Sequence, residues 1–133
     1  MIQQMNETMG LRISGWGFAL PEKVVTNDEL SQTLDTSNEW ILERSGIAER
    51  RIGGSTCGLA TEAAKLALES AGVKPDEIDL LIIATTTPDD QIPPTSSKVQ
   101  HELNLTCGAM DINAACSGFV YALVTGSGFL HSG

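Results

Sequence analysis

One stretch of this 133-residue chain joins residue types that could do covalent chemistry. It reads Asp111-Ile-Asn-Ala-Ala-Cys116-Ser-Gly-Phe119, and its cysteine stands where a strand pattern gives way to a helix pattern. At such a junction the free amides and the dipole of the helix stabilise a thiolate. The same amides point at any anion forming beside the sulfur, which makes half of an oxyanion hole. Ala114, Ala115 and Gly118 are small, so an acyl chain or a carbonyl can approach closely. The layout is that of a nucleophile elbow, with Cys in place of Ser and Ala in place of the first Gly. Spacing alone leaves a second reading open: a small cysteine packed in the core, the commoner fate of that residue. Cys57 and Cys107 have no comparable setting and read as structural.

A cysteine so placed needs a scaffold of strands and helices to hold it. Leu11 to Phe18 reads as a short strand interrupted by Gly15 and Gly17. Two Thr-x-x-Glu capping boxes follow, Thr26 with Glu29 and Thr36 with Glu39, and the second opens a helix over 38–45 that stops at Gly46. Gly53 to Thr56 reads as a loop and N-cap. Beyond it Leu59, Ala63, Leu66, Ala67 and Ser70 recur at helical spacing until Gly72. After a turn at Pro75 to Ile78, the continuous apolar run Leu80 to Ala84 suits a parallel strand buried on both faces. Pro93-Pro94-Thr95 starts a helix to about Leu103. A short strand over 108–113 then leads into a last helix over 117–130. This alternation places the chain in the α/β class, with an open, mostly parallel sheet and helices on both faces. The last helix is apolar around its whole circumference and reads as deeply buried, under a second layer that the chain does not obviously contain.

Composition narrows the function classes. Lys plus Arg number 8 against 17 Asp plus Glu, a net charge of −9, and aromatic residues make up 5%. A nucleic-acid partner is not expected, because it requires a basic surface and stacking platforms. Three cysteines without a CxxC pair argue against a disulfide framework and a structural zinc, and suit a reducing cytoplasm. Two histidines, His101 and His131, cannot supply a metal cluster. Met1 to Gly10 is polar and lacks the basic and apolar regions of a secretory signal. No Asp, Glu, Lys or Arg occurs over 112–133, long enough to suggest a membrane span. Asn113, Ser117, Thr125, Ser127, the internal glycines and the missing basic flank favour a soluble helix instead.

Longer motifs add a resemblance. The segment over 111–119 resembles the active-site segment of β-ketoacyl-acyl-carrier-protein synthase III. So does Asp35-Thr-Ser-Asn-Glu-Trp40-Ile-x-x-Arg44-Ser-Gly-Ile47, followed by Glu49-Arg50-Arg51. Leu20-Pro21 through Thr26-Asn27, and Ala84-Thr85-Thr86, fall in the same order as in that family. The resemblance covers Leu11 to Gly133. It implies a polar tail over 1–10 and, over 11–133, the first half of a thiolase-like fold, stopping after the nucleophile helix. The all-apolar last helix would then lie in a central layer between two sheets.

The activity the resemblance implies is the initiation of fatty-acid synthesis. Cys116 matches the nucleophile that takes an acyl group from acyl-CoA. Malonyl-acyl carrier protein then decarboxylates, and its carbanion attacks the thioester. Trp40 and Arg44 match residues that hold the adenine end of CoA, by stacking and by charge, and Thr36 is a weaker match to the same pocket. Four residues apart on one helix, Trp40 and Arg44 share a face. Acyl-CoA is a substrate here, and no separate cofactor or metal is implied. The family's catalytic His and Asn match no position in this chain, so these 133 residues alone are not expected to condense. The resemblance also implies a cytoplasmic homodimer, with no membrane or nucleic-acid partner. Arg50 and Arg51 read as a solvated pair.

Within the same fold, 3-hydroxy-3-methylglutaryl-CoA synthase is the nearest rival, but it carries a Glu where this chain has Thr86. A starter synthase of the quinolone or polyketide type, of similar build, stays open as an alternative. From other classes, the alternatives are a non-catalytic partner subunit or truncated remnant, and a membrane-anchored binding module.

Overall fold

The fold starts from a strand whose residues alternate between two faces. In the computed structural model, which describes residues 10–132, β3 (Leu80–Ala84) pairs in parallel with β4 (Gly108–Ile112), in register from Leu80 opposite Gly108 to Ala84 opposite Ile112. Before them come β1 (Val24–Thr26), α1 (Asn27–Ser31), α2 (Asn38–Ser45), β2 (Glu49–Arg51) and α3 (Thr56–Ala71). Helix α4 (Thr95–Glu102) links the parallel strands, and α5 (Gly118–Ser132) follows a single 3-10 turn at Ala115–Ser117. Leu81 and Ile83 face a core made by Val99, Leu103 and Leu105, with Ala60 and Ala64 of α3 behind it. Leu80 and Ile82, on the other face, line a groove against α5. Three layers result, with α3 and α4 on one side of the parallel pair and α5 on the other. This α/β arrangement is the one expected from the order of the elements.

Each helix starts where the sequence supplies acceptors for its first amides. Ser55 Oγ accepts from Gly58 N at 2.9 Å and starts α3, which ends at left-handed Gly72. Helix α4 has Pro94 at its N-cap, with no side-chain hydroxyl or carboxylate to offer. A carboxylate from the following strand replaces it. Asp111 takes the Thr95 amide at 2.9 Å and the Ser96 amide at 2.7 Å, one on each oxygen. Asp89 does the same for α3, accepting from Thr56 N at 2.8 Å and Cys57 N at 2.7 Å.

Several expectations need correction. The segment over 11–18 joins no sheet among the described residues. Gly15 and Gly17 instead press its backbone onto α3, where a Cβ on Gly17 would overlap the Ala63 carbonyl and the Ala67 amide. Its glycines serve close approach, and among the described residues no strand pairs with it. The N-cap of α2 is Ser37, whose Oγ accepts from Trp40 N at 3.2 Å; Thr36 lies one residue too early. Thr26 does cap α1, accepting from Glu29 N. Strand β3 is half-buried, not covered on both faces, because α5 leaves an apolar groove beside it. Helix α5 itself is mostly exposed, with only Gly118 buried among its residues. The antiparallel pairing of β1 with β2, Val24 opposite Arg51, was not anticipated. Of the tail expected over 1–10, all but Gly10 lies outside the described residues. Among the described residues no helix is long and apolar enough to cross a membrane.

Two stability measurements follow from the carboxylate caps. Asp111→Ala strands two buried amides and should lower unfolding free energy by about 2–4 kcal/mol, with Asp111→Asn losing less. A urea midpoint unchanged in the alanine variant would show that the cap does not hold α4. The Cys57 and Thr56 amides hold the Asp89 carboxyl below its ordinary value of 3.8. A depressed folded-state pKa gives stability that is present above 3.8 and lost as pH falls through the lower, folded value. Asp89→Asn should therefore flatten the acid limb of a stability-against-pH profile, and an unaltered slope would count against the cap.

Candidate active site

Cys116 stands at the carboxyl ends of the two parallel strands, the position where open α/β sheets bind their ligands. Pairing carries one residue beyond β3, with Thr85 N donating to Ile112 O at 3.1 Å. The chain then turns sharply. Ala114 lies at φ −133° and ψ 37°, outside the regular regions, and Ala115 is left-handed at φ 46°. A residue with a Cβ rarely holds that conformation, so strain is concentrated next to the cysteine. Asn113 Oδ1 receives the Ala115 amide at 3.4 Å, while the Ser117 and Gly118 amides go to the Ala114 and Ala115 carbonyls. The Cys116 amide has no such partner among the described residues, and the thiol is exposed. A Cβ on Gly118 would sit 3.3 Å from Ala84 Cβ, so a bare glycine lets α5 seat on the end of β3. The junction therefore presents a reachable sulfur beside an uncommitted N–H. Among the described residues Cys116 is exposed and not packed in the core.

A second group of residues lies on α2. Ile41 is buried and anchors the helix, which leaves Trp40 and Arg44 on the outer face. The Arg44 guanidinium carbon lies 5.7 Å from the centre of the Trp40 ring, within the range of a cation–π contact. With 56% of its surface exposed, Trp40 keeps ring area for a planar ligand. The Thr36 hydroxyl, two residues before the helix, is buried without a hydrogen-bond partner. Among packed elements α2 touches α1, whereas the turn carrying Cys116 packs on α5. The expected residues thus sit on two different elements, the thiol on the turn before α5 and Trp40 and Arg44 on α2, with Thr36 just before it.

The remaining candidates fall outside both groups. Cys57 and Cys107 pack against Val99, Leu103 and Leu105, as structural cysteines do. His101 sits exposed in the last turn of α4, and His131 Nδ1 lies 2.7 Å from the Ser127 carbonyl of its own helix. Arg50 is not solvated as expected: its Nη1 donates to Asn27 Oδ1 at 2.8 Å, while Arg51 pairs loosely with Glu49 at 3.7 Å. Among the described residues no three His, Cys, Asp or Glu gather as a metal site would require. Sequence reasoning missed Asp111 and Asn113 as supports of the elbow. A charged residue inside an otherwise apolar strand was the available signal for Asp111.

No protein-family model matches the chain. Among curated proteins, it is 53% identical over 97% of its length to the β-ketoacyl-acyl-carrier-protein synthase III of Xanthomonas oryzae pv. oryzae, and covers 41% of that relative. Among solved structures, the 3-oxoacyl-acyl-carrier-protein synthase III of Aquifex aeolicus superposes with a TM-score of 0.90 at 47% identity, over 92% of this chain and 41% of that one. A priming β-ketosynthase from a polyketide pathway gives 0.80 at 39% identity, over 84% of this chain and 35% of that one. The chain thus spans about two-fifths of the length of the relatives it matches. Over nearly its whole length it is similar in sequence and backbone to part of β-ketoacyl-acyl-carrier-protein synthase III, and its partial α/β fold superposes on the matching part of those thiolase-like structures.

Proposed function

We propose that the chain carries the acyl-accepting nucleophile and the CoA clamp of a condensing enzyme that initiates fatty-acid synthesis. The observation that carries this reading is Cys116, an exposed thiol beside a left-handed alanine and an unpartnered amide. The Cys116 thiolate attacks the carbonyl carbon of acyl-CoA, and the C–S bond to CoA breaks as the new thioester forms. Negative charge gathers on the carbonyl oxygen in between, where the Cys116 N–H can donate to it. CoA leaves as the thiol, taking a proton. In the second step malonyl-acyl carrier protein loses CO2, and the carbanion attacks the acyl-Cys116 carbonyl. A β-ketoacyl-carrier product leaves, and the thiolate is regenerated.

Binding of the first substrate falls to α2. Trp40 supplies a face for the adenine ring and Arg44 a cation for a phosphate, with Thr36 in the segment just before the same helix. The decarboxylative step needs donors at the developing enolate and a base for proton transfer. His101 and His131, held on helices, are not assigned to that work. We read the active protein as a cytoplasmic homodimer that needs no cofactor besides its two thioester substrates. The bare apolar face of α5 supports an assembly that covers it. The likeness to a priming ketosynthase favours one second reading, the same chemistry on a polyketide starter unit. A panel of acyl-CoA donors of graded length distinguishes the two.

Acylation gives a direct test. Incubation with acetyl-CoA should add one acetyl group by intact mass, mapping to Cys116 and absent in Cys116→Ala. An adduct on Cys57 or Cys107 would overturn the assignment. For the clamp, Trp40→Ala should weaken CoA binding by about 1–3 kcal/mol, as loss of a base–aromatic stack does. Transfer from S-acetylpantetheine, which lacks the adenine, should be unaffected. Equal losses on both donors would place Trp40 in the general packing of the protein and not in the clamp.

A further inference from the structure

One buried side chain ties down both ends of the helix that carries Trp40 and Arg44. Asn27, the first residue of α1, is 1% exposed. Its Nδ2 donates to Asn38 Oδ1 at 3.1 Å and to the Ile47 carbonyl at 2.8 Å. Asn38 is the first residue of α2, and Ile47 follows Gly46, the left-handed residue that ends it. Arg50 Nη1, from β2, donates to Asn27 Oδ1 at 2.8 Å. Both amide protons and the carbonyl oxygen are therefore engaged, and only one orientation of the amide fits. Turned over, it would set its NH2 against the Arg50 donor and its oxygen against the Ile47 carbonyl.

Helix α2 has eight residues, too few to hold its shape or place without outside contacts. Ile41 supplies an apolar anchor, but a single apolar contact leaves the helix free to slide and rotate. Bonds at both ends remove that freedom. We infer that Asn27 is the positioning residue of the CoA clamp, fixing α2 at its start and just past its end so that Trp40 and Arg44 present one recognition face. This inference rests on the reading of Trp40 and Arg44 as the CoA clamp.

The test uses Trp40 as its own reporter, in a Trp16→Phe background that removes the other tryptophan. CoA is titrated against quenching of Trp40 emission, at a temperature where every variant remains folded by circular dichroism. Asn27→Ala should weaken CoA at least about tenfold, equivalent to about 1.4 kcal/mol. Asn38→Leu, which removes one acceptor and leaves Asn27 in place, should weaken it in the same direction. Asn38→Asp retains an oxygen for Asn27 Nδ2 and should bind within about twofold of the parent, since that hydrogen bond is kept. Alkylation of Cys116 by iodoacetamide, which reads the other side group, should proceed at the parent rate in all three. Should Asn27→Ala fail to fold, the two Asn38 variants decide the matter alone. A lowered melting temperature with unchanged CoA affinity in the Asn27 and Asn38→Leu variants would overturn the positioning role. A parent that shows no response to CoA would overturn the clamp itself, and the inference with it.

Discussion

The Asp111 carboxylate is the constraint on which the Cys116 side of this molecule rests. It comes from the apolar strand β4, yet both its oxygens are bonded to the first two amides of α4. A carboxylate at a helix N-terminus meets both unpaired donors and the positive end of the dipole, which offsets the cost of placing it near a core. Through it, the end of β4 and the start of α4 become one body. Val99 of that helix and Leu103 just past its end pack onto Leu81 and Ile83 of the neighbouring strand. The chain leaves β4 at Ile112 and reaches Cys116 four residues later. Strain at Ala115 is tolerated because the residues before it are held so firmly.

The two groups of candidate residues are supported by the same device at different places. A polar side chain bonded to two or more distant partners sets the geometry of an otherwise short or irregular segment. Asp111 does this for the elbow, and Asn27 does it for α2. Such groups are costly when half-satisfied and directional when complete, so they define position better than apolar contacts can. Apolar packing supplies most of the stability, while these few polar groups supply the alignment.

The opposite flank of the parallel pair shows a different balance. An open apolar groove of about 840 Å³ lies between Leu11, Ile13, Leu80, Ile82, Leu123 and Leu130. Phe119, Val120, Tyr121 and Val124 of α5 are exposed beyond it. The character of this flank is that of a surface made for packing, and it follows from an uncharged helix resting on one side of a two-stranded sheet.

Local pattern alone was enough to read the extent of α3, α4, β3 and β4, because Ser55, Gly72, Pro94 and the apolar run over 80–84 act within a few residues of themselves. The strand-to-helix junction at Cys116 was legible for the same reason. So was the shared face of Trp40 and Arg44, which helical spacing dictates. Contacts between residues far apart in the chain were not legible. Alternating Gly15 and Gly17 look like a strand until α3 is laid against them, and Thr36 looks like a cap until the chain turns one residue later at Ser37. Arg50 looks solvated until Asn27, twenty-three residues earlier, is brought against it. Sequence by itself determined the helices, the two parallel strands and which residues could react, since propensity, capping and periodicity are local. Tertiary structure alone decided which buried polar groups hold those residues in place, because a hydrogen bond between distant segments exists only once both have been packed together.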